Sequence, residues 1–224
     1  MDEVLRSAPL FRELDDEAAS ALRASMVEVQ LGRGEVLFRE GDTGDRVYVV
    51  IDGKVKLGRT SSDGRENLLA ILGPGQMFGE LSLFDPGPRS ATVTAVTDTV
   101  LLSLANEDML TWLTGRPEVA RGLLLQLGQR LRRSNDTLAD LVFSDVPGRV
   151  AKALLDLSTR FGVPSEEGVR VVHDLTQEEL AQLVGASRET VNKALADFAG
   201  RGWLRLEQRS VVILDLERLQ RRAR

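Results

Sequence analysis

The chain has no cysteine and a single histidine among its 224 residues. The first absence removes disulfides, thiolate zinc sites, cysteine-ligated iron–sulfur clusters and every cysteine nucleophile. The second leaves His173 without the companions that a multi-histidine metal site needs, and makes a serine–histidine triad hard to assemble. No apolar run approaches the roughly 18 to 20 residues of a spanning helix, and Met1-Asp2-Glu3 opens an acidic segment without a signal-peptide core. The expectation is a soluble, cytoplasmic protein with no membrane partner. What is present is a hydrophobic fraction of 42% beside 28% charged residues, enough to bury a core and too apolar for a disordered chain. The length suits two modest domains.

Positive charge is in deficit overall, with a formal net charge of -5. It is unevenly placed. Residues 1 to 145 carry 16 Lys and Arg against 23 Asp and Glu, whereas residues 146 to 224 carry 13 against 11, and the last 24 residues 7 against 3. A local surplus of this kind can meet phosphates even in an acidic protein, although by itself it is equally a solvated tail.

Between Val27 and Leu104, short apolar runs such as Val47 to Ile51 and Leu68 to Leu72 alternate with glycine-bearing turns. That spacing predicts an antiparallel barrel or jelly roll rather than a βαβ sheet. Asp52-Gly53 and Asp63-Gly64 are expected as hairpin turns, and Leu5 to Met26 as a helical lead-in. After Arg116-Pro117 one long helix is expected to about Ser144, because proline starts helices readily and nothing stronger than Gly122 and Gly128 interrupts the stretch. On it Leu124, Leu127, Leu131, Ser134, Leu138 and Leu141 are spaced as a short heptad seam. The seam suits a parallel dimer; a stripe packed on its own domain is the other possibility. Ser134 is polar at an otherwise leucine position, and Asn135 follows it. Asp145-Val146-Pro147-Gly148 reads as the joint, followed by a helix from about Arg149 to Phe161, a strand at Val169 to Val172, two helices and a terminal hairpin.

Leu175 to Leu195 is the most specific segment. Thr176 with Glu179 forms a capping box, Gly185 ends the first helix, and Ser187 caps a second whose Val191, Ala194, Leu195 and Phe198 face the first. Outward positions at the start of the second helix are Arg188, Glu189, Asn192 and Lys193, side chains of the kinds that read base edges. A wing follows, with strands on either side of Glu207 to Ser210. An ordinary helical hairpin with a charged outer face is the bland alternative. Earlier in the chain, Gly79-Glu80-Leu81 precedes Arg89-Ser90-Ala91. A guanidinium with a hydroxyl suits a cyclic phosphate, a carboxylate suits a ribose hydroxyl, and Gly79 lets backbone approach closely.

On these strings, together with Asp145-Val146 to Gly148-Arg149 and Val184 to Val191, the chain resembles the Crp/Fnr family of bacterial transcription regulators over nearly its whole length. Its arginine excess over lysine, 25 to 4, fits an actinobacterial member. The resemblance implies an α+β chain in three parts: a cyclic-nucleotide-binding β jelly roll at 1–116, a long dimerisation helix at 117–145, and a winged helix-turn-helix at 146–224. It implies cyclic AMP as allosteric ligand, with Glu80 on the ribose, Arg89 and Ser90 on the phosphate, Gly79, Leu81 and Ala91 completing the motif, and Ser134 with Asn135 on the adenine amino group. The familiar pair there is Thr then Ser, so the choice between adenine and guanine is left open. It further implies that Arg188, Glu189 and Lys193 read each half of a TGTGA-type DNA palindrome, with Thr176, Ser187 and Thr190 on phosphates. Lys193 replaces the usual arginine and loses its bidentate fork. RNA polymerase is the implied further partner.

No enzyme is expected, because residues 146–224 lack a phosphate loop, metal cluster or nucleophile–base pair. Neither metal, iron–sulfur cluster nor haem is expected, and His173 is given a structural or exposed role. Three rival readings stand beside this one: a member of the family with another effector or none, a cyclic-nucleotide-regulated enzyme or regulatory subunit, and a dimeric β-domain scaffold with an unrelated helical tail.

Overall fold

The computed structural model describes every residue except Met1, Pro9, Leu10, Glu13 and Arg224, together with the side chain of Asp2. Two compact units emerge, one spanning residues 1–64 and 69–133, the other residues 134–224 with the short segment 65–68.

The first unit opens with helices α1 (Asp2–Ser7) and α2 (Asp16–Ala24), the latter capped by Asp15, whose carboxylate accepts from the Ala18 N–H. Eight strands follow: β1 (Val27–Leu31), β2 (Val36–Phe38), β3 (Arg46–Asp52), β4 (Val55–Thr60), β5 (Glu66–Leu72), β6 (Met77–Phe78), β7 (Thr92–Ala95) and β8 (Thr99–Ala105), with the four-residue helix α3 (Leu81–Phe84) between β6 and β7. They form two sheets ordered β1-β8-β3-β6 and β2-β7-β4-β5, the expected jelly roll. Strand β3 shows why both faces must be covered. Val47, Val49 and Ile51 alternate into a core shared with α1 and α2, while Tyr48 and Val50 point into a second core with Phe78, Val93 and Leu101. Period-two alternation with both faces apolar gives a strand buried on both sides.

One of the two expected hairpin turns is something else. Asp63-Gly64 lies between β4 and β5, which are neighbours in one sheet, but Asp52-Gly53 carries the chain from β3 in one sheet to β4 in the other. Gly53 sits at φ +79°, and a Cβ there would run into the Asp98 carbonyl. Turn composition reports the local bend and not the destination of the next strand.

Helix α4 (Asn106–Gly115) leads to α5 (Pro117–Phe143), which starts at the expected proline and runs 27 residues. Along α5, Val119 and Leu123 are buried, whereas Leu124, Leu131, Leu138 and Leu141 are between 48% and 67% exposed. Leu127 is half-buried against the protein's own core, and the other leucines of the expected seam are left in the open.

In the second unit, α6 (Val146–Phe161) begins three residues earlier than expected. Asp145 is its N-cap and accepts from the Gly148 N–H, and Pro147 occupies the first turn, where its missing N–H costs nothing. Strands β9 (Gly162–Ser165), β10 (Gly168–Val172), β11 (Leu204–Glu207) and β12 (Ser210–Ile213) form a sheet ordered β11-β12-β10-β9. Pro164 hides β9 from a sequence reading, and its place at the sheet edge is what makes proline tolerable. The helices α7 (Gln177–Val184) and α8 (Arg188–Gly200) pack together, with Phe198 stacked on Trp203 at 5.4 Å. A closing helix α9 (Leu216–Arg222) was also not expected.

Candidate functional site

At the end of β6 the chain turns through Gly79 at φ +84° into α3. Only glycine suits this point: besides the left-handed φ, a Cβ would lie 2.8 Å from Arg89 Nη1 and 3.0 Å from the Arg46 carbonyl. The next residue, Glu80, is completely buried. Its Oε1 receives a hydrogen-bonded ion pair from Arg130 on α5, while Oε2 has no partner.

Arg89 is brought to the same place by its own backbone. Its N–H donates to the Asp42 carbonyl (2.7 Å), its carbonyl accepts from the Gly41 N–H (2.9 Å), and Pro88 bridges to Thr43. The guanidinium is 5% exposed as a residue and donates to the carbonyls of Arg46 (2.9 Å) and Gly79 (3.2 Å), with Ser82 Oγ at 3.4 Å. Its Nε is buried without a partner. Burial draws its pKa below the ordinary arginine value, opposed by Tyr48, Asp45, Glu80 and Asp42. These surroundings keep a partly desolvated cation ready for an anion.

Above these groups lies a small cavity, open to solvent, lined by the apolar Phe38, Leu57, Phe78 and Val93 and by Gly79, Ser82, Arg89, Ser90 and Arg130. Leu81, Pro88 and Ala91 complete it. Of the residues singled out in sequence, Gly79, Leu81, Arg89, Ser90 and Ala91 line the cavity, and Glu80 reaches it through Arg130. Ser134 and Asn135 are exposed on α5, the turn after Arg130, and are not among the lining residues.

Arg130 itself went unrecognised. It precedes the seam residue Leu131 and shares its neighbourhood with Arg132 and Arg133, so charge pattern alone does not separate it from solvated arginines. Nor did sequence reasoning find Phe38, because a partly buried phenylalanine in a β domain is ordinary core.

In the second unit the capping box is present in full: Thr176 Oγ1 accepts from the Glu179 N–H at 3.1 Å, and Glu179 accepts from the Thr176 N–H at 2.8 Å. Gly185 closes α7 in the left-handed region, and Ser187 caps α8 by accepting from the Thr190 N–H at 3.2 Å. Arg149 donates to the carbonyls of Val184 (3.1 Å) and Gly185 (3.2 Å), satisfying the end of α7 and holding the turn. Ser187, Arg188, Glu189, Thr190 and Lys193 are exposed together at the start of α8, and Thr176 is exposed at the start of α7. Glu189 and Lys193 pair at 2.7 Å, with side chains 77% and 76% exposed. Asn192 does not join the outward set, because it is half buried and donates to Gln177 Oε1 at 3.1 Å. The hydrogen bond to Gln177, at the start of α7, turns it toward that helix instead.

Among the described residues no group of three or more His, Cys, Asp or Glu could hold a metal ion, and no helix is long and apolar enough to cross a membrane. His173 is buried, and its Nδ1 accepts from the Leu175 N–H at 3.1 Å.

Comparison with known proteins adds independent findings. Residues 28–115 match the cyclic nucleotide-binding domain, and residues 148–222 match the Crp-like helix-turn-helix domain. The chain is 57% identical to the CRP-like cAMP-activated global transcriptional regulator of Mycobacterium tuberculosis over the full length of both. It is 38% identical to the cyclic AMP receptor protein of Thermus thermophilus, covering 96% of this chain and 97% of that one. Among solved structures, the c-di-GMP responsive global regulator CLP of Xanthomonas campestris superposes with a TM-score of 0.77 at 26% identity, covering 89% of this chain and 99% of that one. With the jelly roll, the long helix and the helix-turn-helix all in place, the chain belongs to the Crp/Fnr family of bacterial transcription regulators.

Proposed function

We propose that this protein is a homodimeric, cyclic AMP responsive transcription regulator that binds a TGTGA-type palindrome. The observations that carry the ligand are a cavity lined by Arg89, Ser90 and Arg130 and two buried polar atoms on Arg89 and on the Arg130 partner Glu80, Nε and Oε2, that have no partner among the described residues. Orphaned buried groups are costly and each calls for an explanation, and beside a cavity a ligand is one. A carboxylate oxygen accepts from a ribose hydroxyl and a guanidinium donates to a phosphate oxygen, so the two residues fit a cyclic nucleotide held between them. Ser90, at the rim, adds a hydroxyl for the phosphate. Ser134 and Asn135, whose side chains can both donate and accept, supply adenine recognition. The identity to a regulator named as cAMP-activated favours cyclic AMP over other effectors.

The exposed leucines of α5 form the homodimer seam, because paired helices bury such a stripe. Two recognition helices then face successive major grooves one helical turn apart. Arg188, Glu189 and Lys193 read bases, while Thr176, Ser187 and Thr190 meet phosphates. Residues 1–116 bind the nucleotide, 117–145 dimerise and 146–224 bind DNA. Coupling of roughly 1 to 3 kcal/mol between the sites makes a usable switch. The protein works in the cytoplasm with RNA polymerase as a further partner.

The test is fluorescence anisotropy of a labelled palindrome at fixed salt, without nucleotide and with cyclic AMP, cyclic GMP or cyclic di-GMP. Salt is held constant because phosphate contacts make affinity depend on it. Tight binding with cyclic AMP alone is expected. Equal binding in every condition removes the switch, and a response to cyclic di-GMP alone moves the effector to that of the Xanthomonas regulator.

A further inference from the structure

The guanidinium of Arg89 is restrained on three sides. Nη2 is held by the Arg46 carbonyl and Nη1 by the Gly79 carbonyl, and the central carbon lies over the Phe38 ring, 4.2 Å from its centroid, with the Tyr48 ring farther off at 5.7 Å. Nε is buried and has no partner among the described residues. A carbonyl holds one end of a guanidinium along a line, but it leaves the plane free to roll about that line. A ring beneath the face removes the roll.

Phe38 is itself fixed. Its ring is tilted against Tyr48 at 5.9 Å and Phe78 at 6.2 Å, and those two are stacked on each other at 5.3 Å. The pairing of β2 with β7 shifts register between Val36 and Phe38. A break of this kind re-aims a side chain, and such breaks gather beside functional sites. Along an unbroken ladder Phe38 would oppose Thr92, whereas it opposes Val93. The face of an aromatic ring is electron-rich and attracts a cation placed over it. An aliphatic residue of similar size would line the cavity equally well without that attraction.

We propose that Phe38 is a positioning residue for the anion-binding arginine: its ring fixes the plane of Arg89 so that the guanidinium is already oriented for the phosphate of the bound nucleotide. This rests on the cyclic-nucleotide reading of the cavity. Arg89 is the group that touches the ligand, and Phe38 acts through it by lowering the ordering that binding would otherwise require.

The experiment uses the full-length protein, Phe38→Leu and Phe38→Tyr, with cyclic AMP titrated by calorimetry. The Nε–H resonance of Arg89 is followed in the ligand-free proteins, identified by its loss in Arg89→Lys. Expected are a ring-shifted Nε–H in wild type and Phe38→Tyr that moves toward the ordinary arginine position in Phe38→Leu. Cyclic AMP affinity should fall on the order of three- to ten-fold in Phe38→Leu and return in Phe38→Tyr. Unchanged affinity in Phe38→Leu overturns the inference, as does a loss of affinity with the Nε–H shift retained, which would make Phe38 a lining residue only. A tyrosine variant as weak as the leucine one also overturns it. If wild type binds no cyclic AMP, the underlying reading fails and takes this inference with it, so the two failures are told apart by the first titration.

Discussion

Arg130, on the long helix, grips one oxygen of the Glu80 carboxylate, which the jelly roll buries completely, and the second oxygen of that carboxylate is left without a partner. A buried charge held by one cation is exposed to loss of that cation. Removing one partner of such a pair costs more than removing both, because the survivor stays desolvated and unpaired. Arg130→Ala is therefore expected to lose about 1 to 3 kcal/mol of stability in urea unfolding at pH 7, a range set below that of fully enclosed pairs because Arg130 is about one-third exposed. The double variant Arg130→Met with Glu80→Gln should recover much of the loss. A double variant as unstable as Arg130→Ala would show that the pair is not what matters.

Removing the Arg89 cation should remove nucleotide binding. Arg89→Ala is expected to cost at least about 2 kcal/mol in cyclic AMP affinity by calorimetry, the value of a charge-assisted hydrogen bond. Gly79→Ala should weaken binding as well, because the new methyl group falls 2.8 Å from Arg89 Nη1 at a residue with φ +84°. Unaltered titrations of both variants would move the ligand elsewhere.

Glu189 and Lys193, proposed above to read bases, pair with each other in this structure, so that reading requires them to separate. Exposed pairs of this kind are held weakly, and the separation is cheap. Glu189→Ala is expected to cost about 1 to 3 kcal/mol on the preferred operator and to relax one base position. Thr190→Ala should weaken all sequences alike. Selection from random DNA distinguishes a base contact from a phosphate contact.

The open leucine stripe on α5 predicts an oligomeric state. Leu138→Arg places a charge where Leu138 is 62% exposed, so the monomer should fold normally while the dimer is lost. Sedimentation should report half the mass with an unchanged circular dichroism spectrum. A variant that remains dimeric would place the interface elsewhere.

At the start of α6, Asp145 accepts from the Gly148 N–H and pairs with Arg222 at 2.6 Å, and the Arg222 hydrogen bond is the larger cause of its lowered pKa. A carboxyl with a depressed folded pKa contributes stability that is fully present above its unfolded value and is lost as pH falls through the folded one. Asp145→Asn keeps the cap and loses the ion pair, so at neutral pH it should cost under about 1 kcal/mol, the pair being largely solvated. Asp145→Ala also loses the cap and should cost about 1 to 2 kcal/mol. The gap between wild type and Asp145→Asn should close below the ordinary aspartate range. A gap that persists there would assign the effect to something other than charge.

Much of this was legible in order along the chain. The helix-turn-helix could be read because its signals are local: a capping box at Thr176 and Glu179, a left-handed Gly185 and a second cap at Ser187 lie within a dozen residues and need no distant partner. Pro117 marked the start of the long helix for the same reason, and Gly79, Glu80 and Arg89 declared themselves by residue type. The edge strand at Pro164 and the earlier start of α6 were hidden because proline reads as a breaker until its place in the sheet or helix is known. Asn192 was placed outward by spacing, and its partner Gln177 on another helix decided otherwise.

By itself, then, the sequence determined the order of most elements, the two functional regions and most of the residue types in them, because each depends on hydrogen bonds and torsions within a few positions. Only the tertiary structure decided that Asp52-Gly53 crosses between sheets and that Arg130, fifty residues away, answers Glu80. The same is true of Phe38, which lies under a guanidinium fifty-one residues downstream. Those relations come from the closing of a sandwich around side chains distant in sequence, where burial makes a single missing partner costly and no local pattern records which partner arrives.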